Sequence, residues 1–138
     1  VYKLEDRYRK VWHFSDPHWL EEHVDLIEEV NPGYIIGQHC DDNEMYIDML
    51  PIEGTPASQF QHTPEFMKKI YHFCIDNINE TSPYAHGDWV LSNIIINGDK
   101  MTLVDWDNVN LYPPHMVLEK MQDDLKSAFG DKFDPASL

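Results

Sequence analysis

The sequence predicts an α+β fold built on antiparallel sheet. Three observations lead there. Runs of β-branched and aromatic residues come in pairs joined by short polar turns, and two long windows carry apolar residues at helical spacing. The 42% apolar and 12% aromatic fractions are those of a chain that buries a core. At 138 residues the polypeptide is one domain's worth, and it buries roughly two-thirds of the surface its unfolded form exposes.

Residues 1–14, VYKLEDRYRKVWHF, predict two short strands broken at Glu5-Asp6-Arg7 and paired as a hairpin. Ser15 or Asp16 then offers an N-cap with Pro17 at the first helical position. Leu20, Val24 and Ile27 recur at helical spacing up to Asn31-Pro32-Gly33, which predicts a helix over 17–30. GYIIGQHC and EMYIDMLPI flank the turn-forming Asp41-Asp42-Asn43 and make a second hairpin that ends at Pro51 and Gly54. The polar stretch 53–63 predicts a connector. From Pro64 to about Asn79, Phe66, Ile70, Phe73 with Cys74, and Asn77 mark a second helix whose inner face includes Met67, Tyr71 and Ile78. A loop over 80–93 follows. NIIING and KMTLVDWD form a third hairpin around Asn97-Gly98-Asp99, where Asn-Gly is among the strongest two-residue turn signals. Residues 113–130 have room for a last helix. A boundary near 51–63 divides this order of elements into two small lobes.

The charge is lopsided, with 25 acidic against 10 basic residues and a formal net charge of −15. Such a surface repels phosphate backbones and argues against nonspecific nucleic-acid binding; a metal ion or a cationic ligand is the more natural partner. No run approaches the 18 or more apolar residues of a membrane helix, and the N-terminal stretch lacks the apolar centre of a signal peptide. The chain starts at Val1 rather than Met, which predicts a trimmed or processed N-terminus. Cys40 and Cys74 show neither CxxC spacing nor a disulfide-dense pattern, so both are expected reduced, in a cytoplasmic protein. Asn79-Glu80-Thr81 is formally a glycosylation sequon and carries weight only in a secreted chain.

The chemistry-bearing stretch is YAHGDWVLSN, residues 84–93, followed by an apolar run that ends in LVDWD. Asp88 and Asn93 sit five positions apart, and Asp105 lies twelve beyond Asn93. A hairpin folds its two ends together, so Asn93 at its entrance and Asp105 at its exit are placed to meet. Hard divalent cations such as Mg²⁺ take oxygen ligands of this kind while keeping several waters and bridging phosphates. An unpaired carboxylate nearby, Asp88, is placed to accept a hydroxyl proton.

HGDWVLSN followed by LVDWD resembles the catalytic loop and metal-binding segment of the aminoglycoside phosphotransferase and choline kinase-like family, whose fold is related to that of protein kinases. In protein kinases a catalytic-loop Asp accepts the substrate hydroxyl proton, while an Asn five residues on and a following Asp hold Mg²⁺. Position by position, the resemblance implies Asp88 as the catalytic Asp, His86 as a brace for the loop, and Asn93 and Asp105 as metal ligands. Asp107 matches the family's second acid.

The resemblance also implies a small two-lobe fold. Residues 1–52 make a reduced antiparallel N-lobe, 53–63 a hinge or connector, and 64–138 a short helical C-lobe. DMLPIEG then sets Met49, Leu50, Pro51 and Ile52 against adenine, with the backbone contacting its edge and apolar side chains its face. Lys10, with Lys3 as the rival, would neutralise the phosphates of ATP or GTP. Glu21 is its expected partner, because Glu21 and Glu28 flank the apolar face of the first helix while Glu22 and Glu29 point away. The six glycines, at 33, 37, 54, 87, 98 and 130, form no Gly-rich loop. Only about thirty residues follow Asp107, where the family builds much of its acceptor site, so that site is open, shared within a homodimer, or built for a large substrate.

The implied activity is transfer of the γ-phosphoryl group to a hydroxyl of a small cationic or polyhydroxylated acceptor. Tyr84, Trp89 and Trp106 lie beside the acids in sequence and are candidates to cage a cation; core packing explains them equally well. The rival readings are an idle, pseudokinase-like nucleotide-binding adaptor and an adenylyl transferase. Eight histidines include no HExxH or HxH, and His18 and His23 are five apart, off the spacing that puts two ligands on one helix face. Asp41-Asp42-Asn43-Glu44 lacks the Gly at position six and the closing Glu of a calcium loop, so a turn explains it.

Overall fold

The computed structural model describes residues 2–138; Val1, which opens the first predicted strand, lies outside the described residues. The protein is α+β with small antiparallel sheets, and it divides into two compact units, Val1–Pro51 and Ile52–Leu138.

In the first unit β1 (Tyr2–Lys3), β2 (Tyr8–Trp12), β3 (Ile35–Cys40) and β4 (Met45–Met49) form a sheet of order β1-β2-β4-β3. Helix α1 (Pro17–Val30) connects β2 to β3. Its start follows the predicted chemistry: Pro17 enters first, and the Asp16 carboxylate accepts the Trp19 N–H at 3.1 Å. Asp41 Oδ1 accepts the N–H groups of Asn43 and Glu44 at 2.8 and 2.9 Å, which makes the β3–β4 connection a side-chain-stabilised turn. Alternation along β4 puts Met45, Ile47 and Met49 on one side, all buried like Leu20, Val24 and Ile27 of α1.

The other side of β4 carries Tyr46 and a buried acid. Asp48, 3% exposed, takes two hydrogen bonds from Arg9, Nε at 2.7 Å and Nη2 at 3.0 Å, and one from Arg7 Nη1 at 3.1 Å. The Arg9 guanidinium also lies 3.8 Å over the Tyr46 ring. Arg9 foremost, with Arg7 adding to it and burial opposing, holds the Asp48 carboxyl below the usual carboxylate range. The stability this contributes is present above the unfolded-state pKa and fades as pH falls through the lower folded value. Asp48→Ala strips Arg9 of its carboxylate partner and leaves Arg7 with Asp6 alone. It is expected to lower unfolding free energy by about 1–3 kcal/mol, less than for a fully buried pair because solvent screens the arginines. The shift of the urea midpoint measures it.

The second unit holds β5 (Thr55–Pro56), α2 (Pro64–Thr81), β6 (Tyr84–Ala85), β7 (Ile94–Asn97), β8 (Lys100–Leu103), β9 (Asn110–Leu111) and α3 (Pro114–Phe129). Three strands pair in the order β5-β7-β8, and β6 pairs β9. The predicted 53–63 connector is therefore more than a linker: Thr55 and Pro56 pair with Ile96 and Ile95, and a 3-10 turn follows at Ala57–Gln59. The second helix runs two residues past the expected end, and the 80–93 loop contains a strand, because Tyr84 and Ala85 find partners in Leu111 and Asn110. Short polar segments give no alternation, so these pairings are invisible locally. Met67, Ile70 and Cys74 form the buried stripe of α2, whereas Phe66, Phe73 and Tyr71 are only half-buried. Helix α2 packs on α3, whose buried stripe is Val117, Met121, Leu125 and Phe129. Among the described residues no helix is long and apolar enough to cross a membrane.

Candidate active site

Four anchors shape the segment between β6 and β7. Ala85 is pinned opposite Asn110. Gly87 follows with φ +85°, where an added Cβ would come within 2.8 Å of the Asn108 carbonyl oxygen and 2.9 Å of the Tyr112 hydroxyl. Only glycine accepts both the dihedral and the approach. The Trp89 N–H donates to Asp124 Oδ2 of α3 at 3.0 Å. A 3-10 turn, Leu91–Asn93, then delivers the chain to β7, with the Asn93 N–H on the Val90 carbonyl at 3.0 Å.

His86 is fully buried and fastens this segment to the end of β8. Its Nδ1 accepts the Asp88 N–H at 3.1 Å, so the proton sits on Nε2, which donates to the Val104 carbonyl at 2.7 Å. The acceptor role of Nδ1 requires the neutral ring. Burial, as the largest influence, pushes the His86 pKa down, against the Val104 carbonyl and the nearby carboxylates of Asp105 and Asp88. Trp106 meets the imidazole edge-to-face at 4.8 Å.

Asn93, 7% exposed, is tied to both flanks. Its Nδ2 donates to the Asp88 carbonyl at 3.2 Å and to Asp88 Oδ2 at 3.4 Å. The β7–β8 register pairs Ile94 with Leu103, and one rung further the Val104 N–H donates to the Asn93 carbonyl at 2.8 Å. Asp105 comes next. The hairpin thus brings Asn93 beside the residue preceding Asp105, while His86 joins the Asp88 backbone to that same residue. The Asn93 NH₂ group is thus engaged by Asp88.

Asp105 is exposed and adopts φ 62°, ψ 69°, and among the described residues it alone holds a positive φ without being glycine. The left-handed region costs an ordinary residue about 1–2 kcal/mol, and Asp and Asn less. Asp105→Ala is therefore expected to be less stable than wild type by about 1 kcal/mol, with Asp105→Asn and Asp105→Gly close to wild type. Parallel urea titrations compare the three. If Ala is the most stable, the backbone there is unstrained.

Among the described residues no group of three or more His, Cys, Asp and Glu is arranged to hold a metal ion.

Other predicted site residues fall elsewhere. Asp107 is half-buried in the turn Trp106–Asn108. Tyr84 is half-buried in β6, its carbonyl accepting Thr81 Oγ1 at 3.0 Å. Trp89 and Trp106 are 0% and 3% exposed, and Trp106 Nε1 donates to the Leu103 carbonyl at 3.0 Å. Neither ring shows a face to solvent, so the cation-cage expectation is corrected for both: they are core residues. In the first unit Lys10 Nζ lies 5.6 Å from the Trp12 ring centroid, and Glu21 is exposed. Glu28 accepts the Gly33 and Ile35 N–H groups at 3.3 and 3.4 Å. Met49 is buried, and Pro51 and Ile52 are half-buried. The Leu50 N–H already donates to the Tyr34 carbonyl at 2.8 Å, and Pro51 has none, so of this stretch neither can offer adenine a backbone donor.

The residue the motif did not disclose is Asp124. Besides holding the Trp89 N–H, it pairs through Oδ1 with Lys120 Nζ at 2.6 Å. The Lys120–Asp124 spacing of i, i+4 is legible in the sequence, but its connection to the loop is not.

No protein-family model matches the chain, and no curated protein matches it.

Proposed function

We propose that the protein is a small phosphotransferase of kinase-like fold that moves the γ-phosphoryl group of ATP or GTP to a hydroxyl acceptor. Mg²⁺ is held by Asn93 and Asp105, and Asp88 orients the hydroxyl and takes its proton late in the reaction. Asp107 adds a second acid. One observation carries this reading: a neutral, buried His86 holds the Asp88 N–H and the Val104 carbonyl at once, while the Asn93 amide turns to Asp88 and its backbone to Val104. Asp88 and Asn93 are thus tied into one hydrogen-bonded unit with Val104, the residue that precedes Asp105. Because phosphoryl transfer passes through a loose transition state, holding groups and balancing charge is most of what catalysis requires.

A second reading, an idle nucleotide-binding adaptor, is favoured by the missing Gly-rich loop and by the engaged Leu50 N–H. Thermal unfolding with ATP and with GTP, each with and without Mg²⁺, tests both, and a wild-type protein that neither nucleotide stabilises excludes both. ADP release that needs an added alcohol and is lost in Asp88→Asn selects the phosphotransferase. Stabilisation without turnover selects the adaptor, and AMP-labelled protein selects adenylyl transfer.

A further inference from the structure

Ala85, Gly87 and Trp89 alternate along the segment that bears Asp88, and all three line a cleft of about 240 Å³ closed on its other side by Tyr112, Met116, Val117 and Lys120. The intervening residues direct their side chains elsewhere, His86 to Val104 and Asp88 to Asn93, neither of which lines the cleft.

We infer that this cleft is a binding site for a small, uncharged aromatic or branched aliphatic molecule, and that its occupation stiffens the loop carrying Asp88. Size and chemistry set the ligand class. The volume is below the roughly 300–1,000 Å³ of sites that hold drug-sized ligands, and the accessible wall is largely carbon, from Met116, the Tyr112 ring and the Lys120 stem, over a floor formed by the buried Ala85, Trp89 and Val117. The one cationic wall residue, Lys120, is already neutralised by Asp124 at 2.6 Å. An anion would have to draw Lys120 off Asp124, whose other oxygen holds the Trp89 N–H. A cation finds no carboxylate on the wall, and an anion finds only a lysine whose charge Asp124 already balances, so neither charge is well compensated there. The Tyr112 hydroxyl donates to the Asn108 carbonyl at 2.8 Å, which leaves its lone pairs to accept one hydrogen bond from a ligand O–H. Met116, 51% exposed, gives the ligand a way in.

The effect on the loop follows from what the walls are attached to. Gly87 and Trp89 flank Asp88. Tyr112 bonds the turn that follows Asp105, and Lys120 bonds the acid that tethers Trp89. A ligand wedged among them restrains every attachment at once.

Binding is read without nucleotide or metal, so the outcome is independent of the phosphotransfer reading. The wild-type chain is titrated with 4-fluorobenzyl alcohol, 4-fluorobenzoate and 4-fluorobenzylammonium and followed by ¹⁹F line broadening. The alcohol is expected to bind saturably and the two charged analogues about tenfold or more weakly. Met116→Lys is expected to lose the alcohol by a similar factor, whereas Leu118→Lys, exposed on the same helix and outside the cleft, keeps it. Amide hydrogen exchange at Asp88 and Trp89 is expected to slow with the alcohol bound. No saturable binding, equal binding of the three probes, unchanged binding in Met116→Lys, or unaltered exchange at both amides would overturn the inference.

Discussion

Asp88→Asn is expected to lower Mg²⁺-dependent phosphoryl transfer by about 10²- to 10⁴-fold, the usual worth of a positioned general base, while leaving the thermal midpoint close to wild type. The separation of the two effects follows from the geometry. Asp88 is half-buried and accepts from Asn93 Nδ2 through its backbone carbonyl as well as its carboxylate. An asparagine keeps the backbone contact, fills the same volume, and offers a side-chain carbonyl to the same donor. It cannot take a proton from an acceptor hydroxyl. Coupled ADP release and differential scanning calorimetry on one preparation measure both quantities. Undiminished turnover would remove Asp88 from the chemistry, and a large drop in the midpoint would make it a structural residue instead.

The second large effect belongs to His86. Truncation to Ala leaves the Asp88 N–H without an acceptor and the Val104 carbonyl without a donor, each a buried loss of about 1–3 kcal/mol. It also opens a void against Trp106. A total of about 3 kcal/mol or more is a large part of the stability of a domain this size, commonly about 5–15 kcal/mol. Chemical denaturation of His86→Ala beside His86→Gln checks it, since the glutamine amide carries both a donor and an acceptor and should recover part of the loss.

His86 also makes a prediction for pH. Its folded pKa lies below the ordinary value of 6.5, so between the two the unfolded chain binds more protons and stability rises with pH. The contribution is complete above pH 6.5 and is lost as pH falls toward the lower folded value. Urea midpoints are expected to decline from pH 7 to pH 5 in wild type, and less steeply in His86→Gln. His23 adds to the wild-type slope, because burial, with Lys10 second, lowers its pKa too. A slope that His86→Gln leaves unchanged would mean that its titration does not limit stability there.

The elements with strong local signals were legible in the chain. Pro17 behind Asp16 and Pro64 behind Thr63 start helices because a fixed φ and a side-chain acceptor satisfy the first turn within a few residues. Asp41 and Gly98 close hairpins for equally local reasons. The candidate site was legible to the extent that hairpin geometry alone brings Asn93 toward Asp105.

Through-space contacts were not. Thr55–Pro56 becomes a strand only because β7 presents an edge, and Tyr84–Ala85 only because β9 does. Trp89 and Trp106 look the same in sequence whether they cage a ligand or fill a core, and burial decided for the core.

By itself, then, the sequence determined the α+β order, the hairpin turns and the spacing of Asp88, Asn93 and Asp105, because propensities and turns act over a few residues. Only the tertiary structure decided that His86 is neutral and joins Asp88 to Val104, that Asp124 anchors Trp89 from thirty-five residues away, and that Asp105 sits in the left-handed region. Those outcomes depend on which distant groups become neighbours once water is excluded, and spacing along the chain does not encode that.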